Sequence, residues 1–203
     1  MIVLLLCCIA LAQPTPSTRA QPQRGVPSLD AAARLHGPAV VGVWAGKAMS
    51  AGFLVSSSGA AVTVLPPGHE GELVVELTTA ERRRARVLAV DDDGLALLQL
   101  EMLEKDAVFS SLGLAPPAAK DATPKSDAWL LSLSFVDGRA VPFVGGLRRV
   151  DDVGLWQLDL PVAAGAPVLA GGLVVAVVLR RVDATSSVAV PATRIQALVQ
   201  RVR

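Results

Sequence analysis

Between residues 39 and 191 the chain is a succession of short apolar runs, each broken by glycine, proline or aspartate. The first set reads AVVGVWAG (39–46), SAGFLVSSSGAAVTVL (50–65), ELVVELT (72–78), RARVLAVD (84–91) and LALLQLE (95–101). The second reads AWLLSLSF (128–135), VPFVGGLRRV (141–150), GLWQLDL (154–160), PVLAGGLVVAVVLRR (167–181) and SSVAVP (186–191). Runs this short, rich in β-branched residues and closed by turn formers, are strands of a barrel or sandwich rather than helices. The segment from Asp106 to Asp127, with its prolines and lysines, separates the two sets. The spacing therefore predicts two antiparallel β lobes joined by a connection.

The ends read differently. MIVLLLCCIALA is apolar and closes on Ala10-Leu11-Ala12, a signal-peptidase pattern. It is shorter than the roughly 20 residues that cross a bilayer. Residues 1–12 are thus expected to be a signal peptide, and no membrane span is expected in the mature chain. N-terminal sequencing of the exported form is expected to begin near Gln13; a soluble product that keeps Met1 would refute export. The cysteines, Cys7 and Cys8, both lie in this leader. The mature chain is then expected to lack disulfides, thiol nucleophiles and thiolate metal sites. Residues 13–27, rich in Pro and Gln, predict an extended tether.

Ser28 and Asp30 suit the start of a short helix, LDAAARLHG, stopped by Gly37-Pro38. At the other end, residues 191–203 predict a helix with Pro191 in its first turn and Ile195, Leu198, Val199 and Val202 on one stripe. That stripe is expected to pack on the second barrel. Lobe one is set at about 37–105, the connection at 106–126 and lobe two at about 127–190.

Charge excludes little but not nothing. The 19 basic and 18 acidic side chains leave a net charge of +1, and aromatic residues are 3% with no tyrosine. Neither an electrostatic nor a base-stacking surface for nucleic acid follows. No His/Asp/Glu cluster has metal-ligand spacing and no glycine-rich loop opens a helix, so no cofactor is expected. The basic run 81–86, ERRRAR, predicts a solvated hairpin edge. Trp44, Trp129 and Trp156 lie within or beside apolar runs and are expected to be packing residues.

Four stretches, in order, resemble the trypsin-like serine proteases, most closely the bacterial HtrA/Deg branch. They are SAGFLVSSSGAAVT (50–63), VLAVDDDGLALLQLE (87–101), VAAGAPVLAGGLVVAVV (162–178) and SSVAVPATRIQALV (186–199). The resemblance spans Leu29 to Val202. It implies two antiparallel β-barrels with a cleft between them that holds a serine nucleophile, a histidine base and an orienting aspartate. By that resemblance the three positions are occupied by Ala164, Pro66 and Gly94, none of which carries the required group. Val162 stands where an oxyanion-hole glycine is implied. A PDZ domain, common after such domains, is not expected, because the sequence stops at Arg203.

The sequence therefore points to an exported, periplasmic or extracellular pseudoprotease that binds a peptide or protein partner. Two alternatives stay open. One is an active serine endopeptidase with a displaced site built on His69 and Asp93; the other is a structural envelope protein. His69 also reads as a loop histidine beside Glu70, and Asp93 as part of a solvated turn. His36 lies before the first strand. Ser186 and Ser187 precede the last strand, and no Ser or Thr lies between Asp159 and Leu179 to replace Ala164.

Overall fold

The computed structural model describes residues 28–103, 108–116, 123–125 and 128–202. The expected leader, the 13–27 tether, much of the connection and Arg203 lie outside the described residues.

The short helix α1 spans Leu29–His36, and Ser28 Oγ accepts from the Ala31 amide at 3.4 Å to cap it. Lobe one follows with β1 (Val40–Ala45), β2 (Ala48–Leu54), β3 (Ala60–Val64), β4 (Leu73–Leu77), β5 (Arg82–Val90) and β6 (Leu95–Leu100). They form a closed antiparallel barrel in the order β1-β2-β3-β6-β5-β4, sealed by pairing of β1 with β4.

Lobe two contains β7 (Leu130–Val136), β8 (Arg139–Gly145), β9 (Leu147–Val150), β10 (Trp156–Leu158), β11 (Pro167–Ala170), β12 (Leu173–Arg181) and β13 (Ser187–Pro191). Its sheet runs β8-β7-β11-β12-β13-β10-β9. The two edge strands, β8 and β9, are separated in the chain by Gly146 alone. The sheet therefore curls until its edges are joined by one glycine, where lobe one closes through hydrogen bonds. The all-β, two-lobe architecture expected from the sequence is the one observed.

The apolar runs that fail to alternate are explained by two cores. Along β6, Ala96 and Leu98 face the interior of the first barrel, while Leu95 and Leu97 join the larger cluster that fills lobe two and the junction. β1 divides in the same way, with Val41 and Val43 inside and Val40 in the shared cluster. A strand buried on both faces reads as a continuous apolar run. Phe135 of β7 packs its ring on Gly42 of β1, where an added Cβ would lie 2.5 Å from the ring. The described connection residues lace the lobes together: Leu112 N–H donates to Leu54 O at 2.8 Å, and Ala115 N–H donates to Val174 O at 2.8 Å.

The structure corrects several expectations. The basic run lies on β5, which is flanked by β4 and β6 and is no edge. Its period of two turns Arg83 inward, 5% exposed and ion-paired to Glu81, while Arg82 and Arg84 face out to Glu76 and Glu72. Trp156 is buried, but Trp129 is half exposed beside α1. Trp44 is half-buried, and its Nε1 donates to Glu76 at 3.1 Å.

The C-terminal helix α2 spans Ala192–Val202; Pro191 ends β13 rather than opening the helix. Ile195 and Leu198 are buried, whereas Val202, in the last turn, is 40% exposed. The helix packs on β5 and β6 of lobe one as well as on β12 and β13 of lobe two. It joins the lobes rather than covering the second alone.

Candidate functional site

A cleft of about 300 Å³ opens at the lobe junction. Lobe one contributes the β1–β2 hairpin through Ala45, Ala48, Met49 and Ser50, and the end of β3 through Val64 to Pro67. Asp93 reaches it from the β5–β6 turn. Lobe two contributes Ala164, from the turn before β11, and Leu179 of β12.

Pro66 and Ala164, distant in sequence, thus line one space. The backbone holds them there. Ala51 N–H on β2 donates to Ala164 O at 2.8 Å, and Gly165 N–H donates to Val178 O at 2.7 Å. Gly165 sits at φ +81°, and an added Cβ would lie 1.9 Å from Ala51 O. The turn carrying Ala164 is in this way pressed backbone to backbone against lobe one.

Gly94 does not line the cleft. It has φ +83°, and a Cβ there would fall 2.5 Å from Leu65 O; its own carbonyl accepts from the Leu65 amide at 2.8 Å. The glycine answers a close approach of two chain segments, and no carboxylate fits at this position without moving the Leu65 carbonyl. Val162 is 1% exposed, its side chain packed into the shared core, and its φ is not positive.

The alternative pair does not meet in the cleft. Asp93 lines the space, but its Oδ2 accepts from Arg194 Nη1 at 2.6 Å. Arg194 also binds Asp91 Oδ2 through Nη2. Asp91 Oδ1 in turn accepts from the Asp93 and Leu95 amides, each at 3.0 Å. The aspartate turn is solvated, as expected, with Asp93 half exposed, and it is also anchored to α2 through Arg194. Partial burial works against the charge of Arg194, but hydrogen bonds and attraction from Asp93 and Asp91 outweigh it and hold the guanidinium's pKa above its ordinary value. His69 lies in the turn after Pro66, where its amide donates to Pro66 O at 3.3 Å. Its ring does not line the cleft, and its Nε2 is buried with no hydrogen-bond partner among the described residues.

His36 borders a separate groove beside α1. Ser186 Oγ donates to Asp183 Oδ2 at 2.7 Å. The Thr185 amide, with the Ser186 and Thr185 hydroxyls, lowers the Asp183 pKa to about 2. Ser187 is fully buried on β13. Neither serine borders the cleft.

Sequence reasoning missed the hydroxyl that does border it. Thr63 Oγ1 donates to Ala51 O at 2.6 Å, so the 2.9 Å contact between Ser50 and Thr63 has Ser50 as donor. Ser50 gives its proton to a hydroxyl that is no base, and no described histidine or carboxylate accepts from it. A serine so placed is not activated as a nucleophile. The alternation of AMSAGFL was the available signal, since it sets Ser50 and Gly52 on one face of β2.

Among the described residues no group of three or more His, Cys, Asp or Glu could hold a metal ion, and no helix is long and apolar enough to cross a membrane. No family model and no curated protein matches the chain.

Proposed function

We propose that this chain is a catalytically inactive relative of the trypsin-like serine proteases that holds a peptide segment of a partner in the cleft between its lobes. The composition of that cleft carries the reading. It lies where two β lobes meet, it is open, and its walls at Pro66 and Ala164 offer neither a proton acceptor nor a nucleophile. Acyl transfer needs an activated nucleophile, a base within hydrogen-bond reach and an oxyanion site. Here the one cleft hydroxyl donates to Thr63, and the one cleft carboxylate is engaged by Arg194.

An extended peptide has a place to lie. β12 runs past the start of β11, whose first pair is Pro167 with Val177, and past Val178, which still bonds Gly165 and Ala166. From Leu179 to Arg181 it is bordered by another strand only on the β13 side. A free strand edge beside a cleft is the setting in which peptides add by backbone hydrogen bonds.

A fluorophosphonate probe, which reacts with activated serines, is expected to leave the purified protein unlabelled, and casein is expected to stay uncut. Ala164→Ser alone is expected to remain inactive, because no base adjoins position 164. Adding Pro66→His supplies a base, but Gly94→Asp is expected to unfold the β5–β6 turn rather than complete a triad. Stoichiometric labelling of the unmodified protein at any serine, Ser50 included, would overturn the proposal.

A further inference from the structure

The walls of the cleft restrict what it can hold. Ala48, Met49, Leu65, Pro66, Ala164 and Leu179 present methyls, methylenes and a proline ring. Met49 is 42% exposed, and Pro66 is exposed as well. Both polar side chains at the cleft are already engaged, Ser50 with Thr63 and Asp93 with Arg194. A charged or strongly polar occupant would lose water there, and the one carboxylate that it would meet, Asp93, already bonds Arg194. An apolar occupant needs no counter-group and removes exposed hydrocarbon from water. The volume, about 300 Å³, lies at the lower end of the ~300–1,000 Å³ range of ligand pockets. It suits a single large side chain.

Charge lies just beyond it. Leu179 lines the cleft, and Arg180 and Arg181 follow it on the free edge of β12, both exposed. Arg181 Nε donates to Asp183 O at 2.7 Å; Arg180 makes no ion pair among the described residues. A peptide lying along this edge meets cations next to the apolar cleft.

We infer that the cleft is a pocket for one bulky apolar side chain, of the leucine, methionine or phenylalanine kind, carried by an extended partner peptide with acidic residues beside it. This rests on the peptide-binding reading above. The pocket contributes the apolar anchor, and the β12 edge contributes backbone pairing and selection for negative charge.

Blocked hexapeptides test it: Ac-Glu-Asp-Ala-Xaa-Ala-Ala-NH2 and the reverse order Ac-Ala-Ala-Xaa-Ala-Asp-Glu-NH2, with Leu, Ala or Lys at Xaa. Each carries a dye and is titrated against the full chain by fluorescence anisotropy. In at least one order the Leu peptide is expected to bind about tenfold or more tighter than the Ala peptide, and the Lys peptide more weakly still. Exchanging Glu-Asp for Lys-Lys is expected to weaken the Leu peptide, and Arg180→Glu is expected to reverse that preference. Ala48→Leu, which fills the cleft, is expected to remove the advantage of Leu over Ala. Met49→Ala, at an exposed position, is expected to reduce that advantage with an unchanged melting temperature, so the result does not depend on the filled variant folding. Equal binding of the Leu, Ala and Lys peptides would overturn the apolar pocket and leave the peptide-binding role intact. Binding of none would overturn both. Binding of free indole at the cleft with no peptide binding would assign the pocket to a small apolar molecule and overturn the inference.

Discussion

Gly165→Ala is expected to cost at least about 4 kcal/mol of stability, a lowering of the melting temperature by roughly 10 °C or more for a chain of this size. Two effects combine. A left-handed backbone, here at φ +81°, is strained for any residue with a Cβ, by about 1–2 kcal/mol. The added methyl would also stand 1.9 Å from Ala51 O and 3.0 Å from Thr63 Oγ1. The first of these atoms belongs to backbone, so no side-chain rotation relieves it. Relief requires the turn to withdraw from β2, which breaks the bond from Ala51 N–H to Ala164 O and opens the lobe junction. Gly146→Ala is the matched control, since its φ is ordinary and nothing lies within 4 Å of the added Cβ. It is expected to change stability by less than about 0.5 kcal/mol. Thermal unfolding of the two variants checks the pair. Equal melting temperatures would mean that the turn does not press on lobe one.

Truncation after Pro191 is expected to have an effect of similar size. It leaves β13 complete and removes α2, whose Ile195 is fully buried and whose Leu198 is 2% exposed. Burial of such side chains stabilises by about 1.5–3 kcal/mol each. The Arg194 bonds to Asp91 and Asp93 go with the helix, and so does the bond from Gln196 Nε2 to Ala115 O. Arg194 is about one-third exposed, so solvent screening leaves its bridges worth on the order of 1 kcal/mol. The apolar loss dominates. Within the intact helix, Ile195→Ala is expected to cost about 2–5 kcal/mol and Val202→Ala less than about 0.5 kcal/mol. A truncated chain with an unchanged transition would show that the helix is not docked.

The contrast between Ile195 and Val202 shows where a periodic pattern stops being informative. Both lie on the stripe read from the sequence, and only the first is covered. A helical period determines which residues share a face, but the length of the surface opposite decides how many of them are buried. Pro191 makes the same point at the other end: a proline suits a helix start by its fixed φ, yet it also serves as the last residue of β13, and pairing with Ala176 of β12 decided between them. Trp129 sits in an apolar run and is half exposed, because α1 covers the neighbouring surface only in part.

At the cleft, the sequence located Pro66 and Ala164 by their contexts, and both line the space. The third position, Gly94, lies in the adjoining turn and not in the cleft lining. A glycine in a strand-to-strand turn can stand for a lost side chain or for a backbone that leaves no room for one, and only the 2.5 Å approach of Leu65 O distinguishes the two. Asp93 is solvated as the sequence implied, but its ion pair was not legible, because the partner, Arg194, is 101 positions away.

What the sequence by itself determined is local. The alternation of short apolar runs with glycine, proline and aspartate turns is enough for strands in two sets and the helices at either end, because strand pleat, turn conformation and helix capping are set by neighbouring residues. The tertiary structure alone decided which runs are buried on both faces, that β5 lies inside a closed barrel, and that the β8–β9 glycine joins the edges of the second sheet. It alone also set Met49, Ser50 and Leu179 around Pro66 and Ala164 as one apolar cleft. These are contacts between segments tens to more than a hundred residues apart, and the free energy that selects them comes from removing whole faces from water, a quantity that no single run carries.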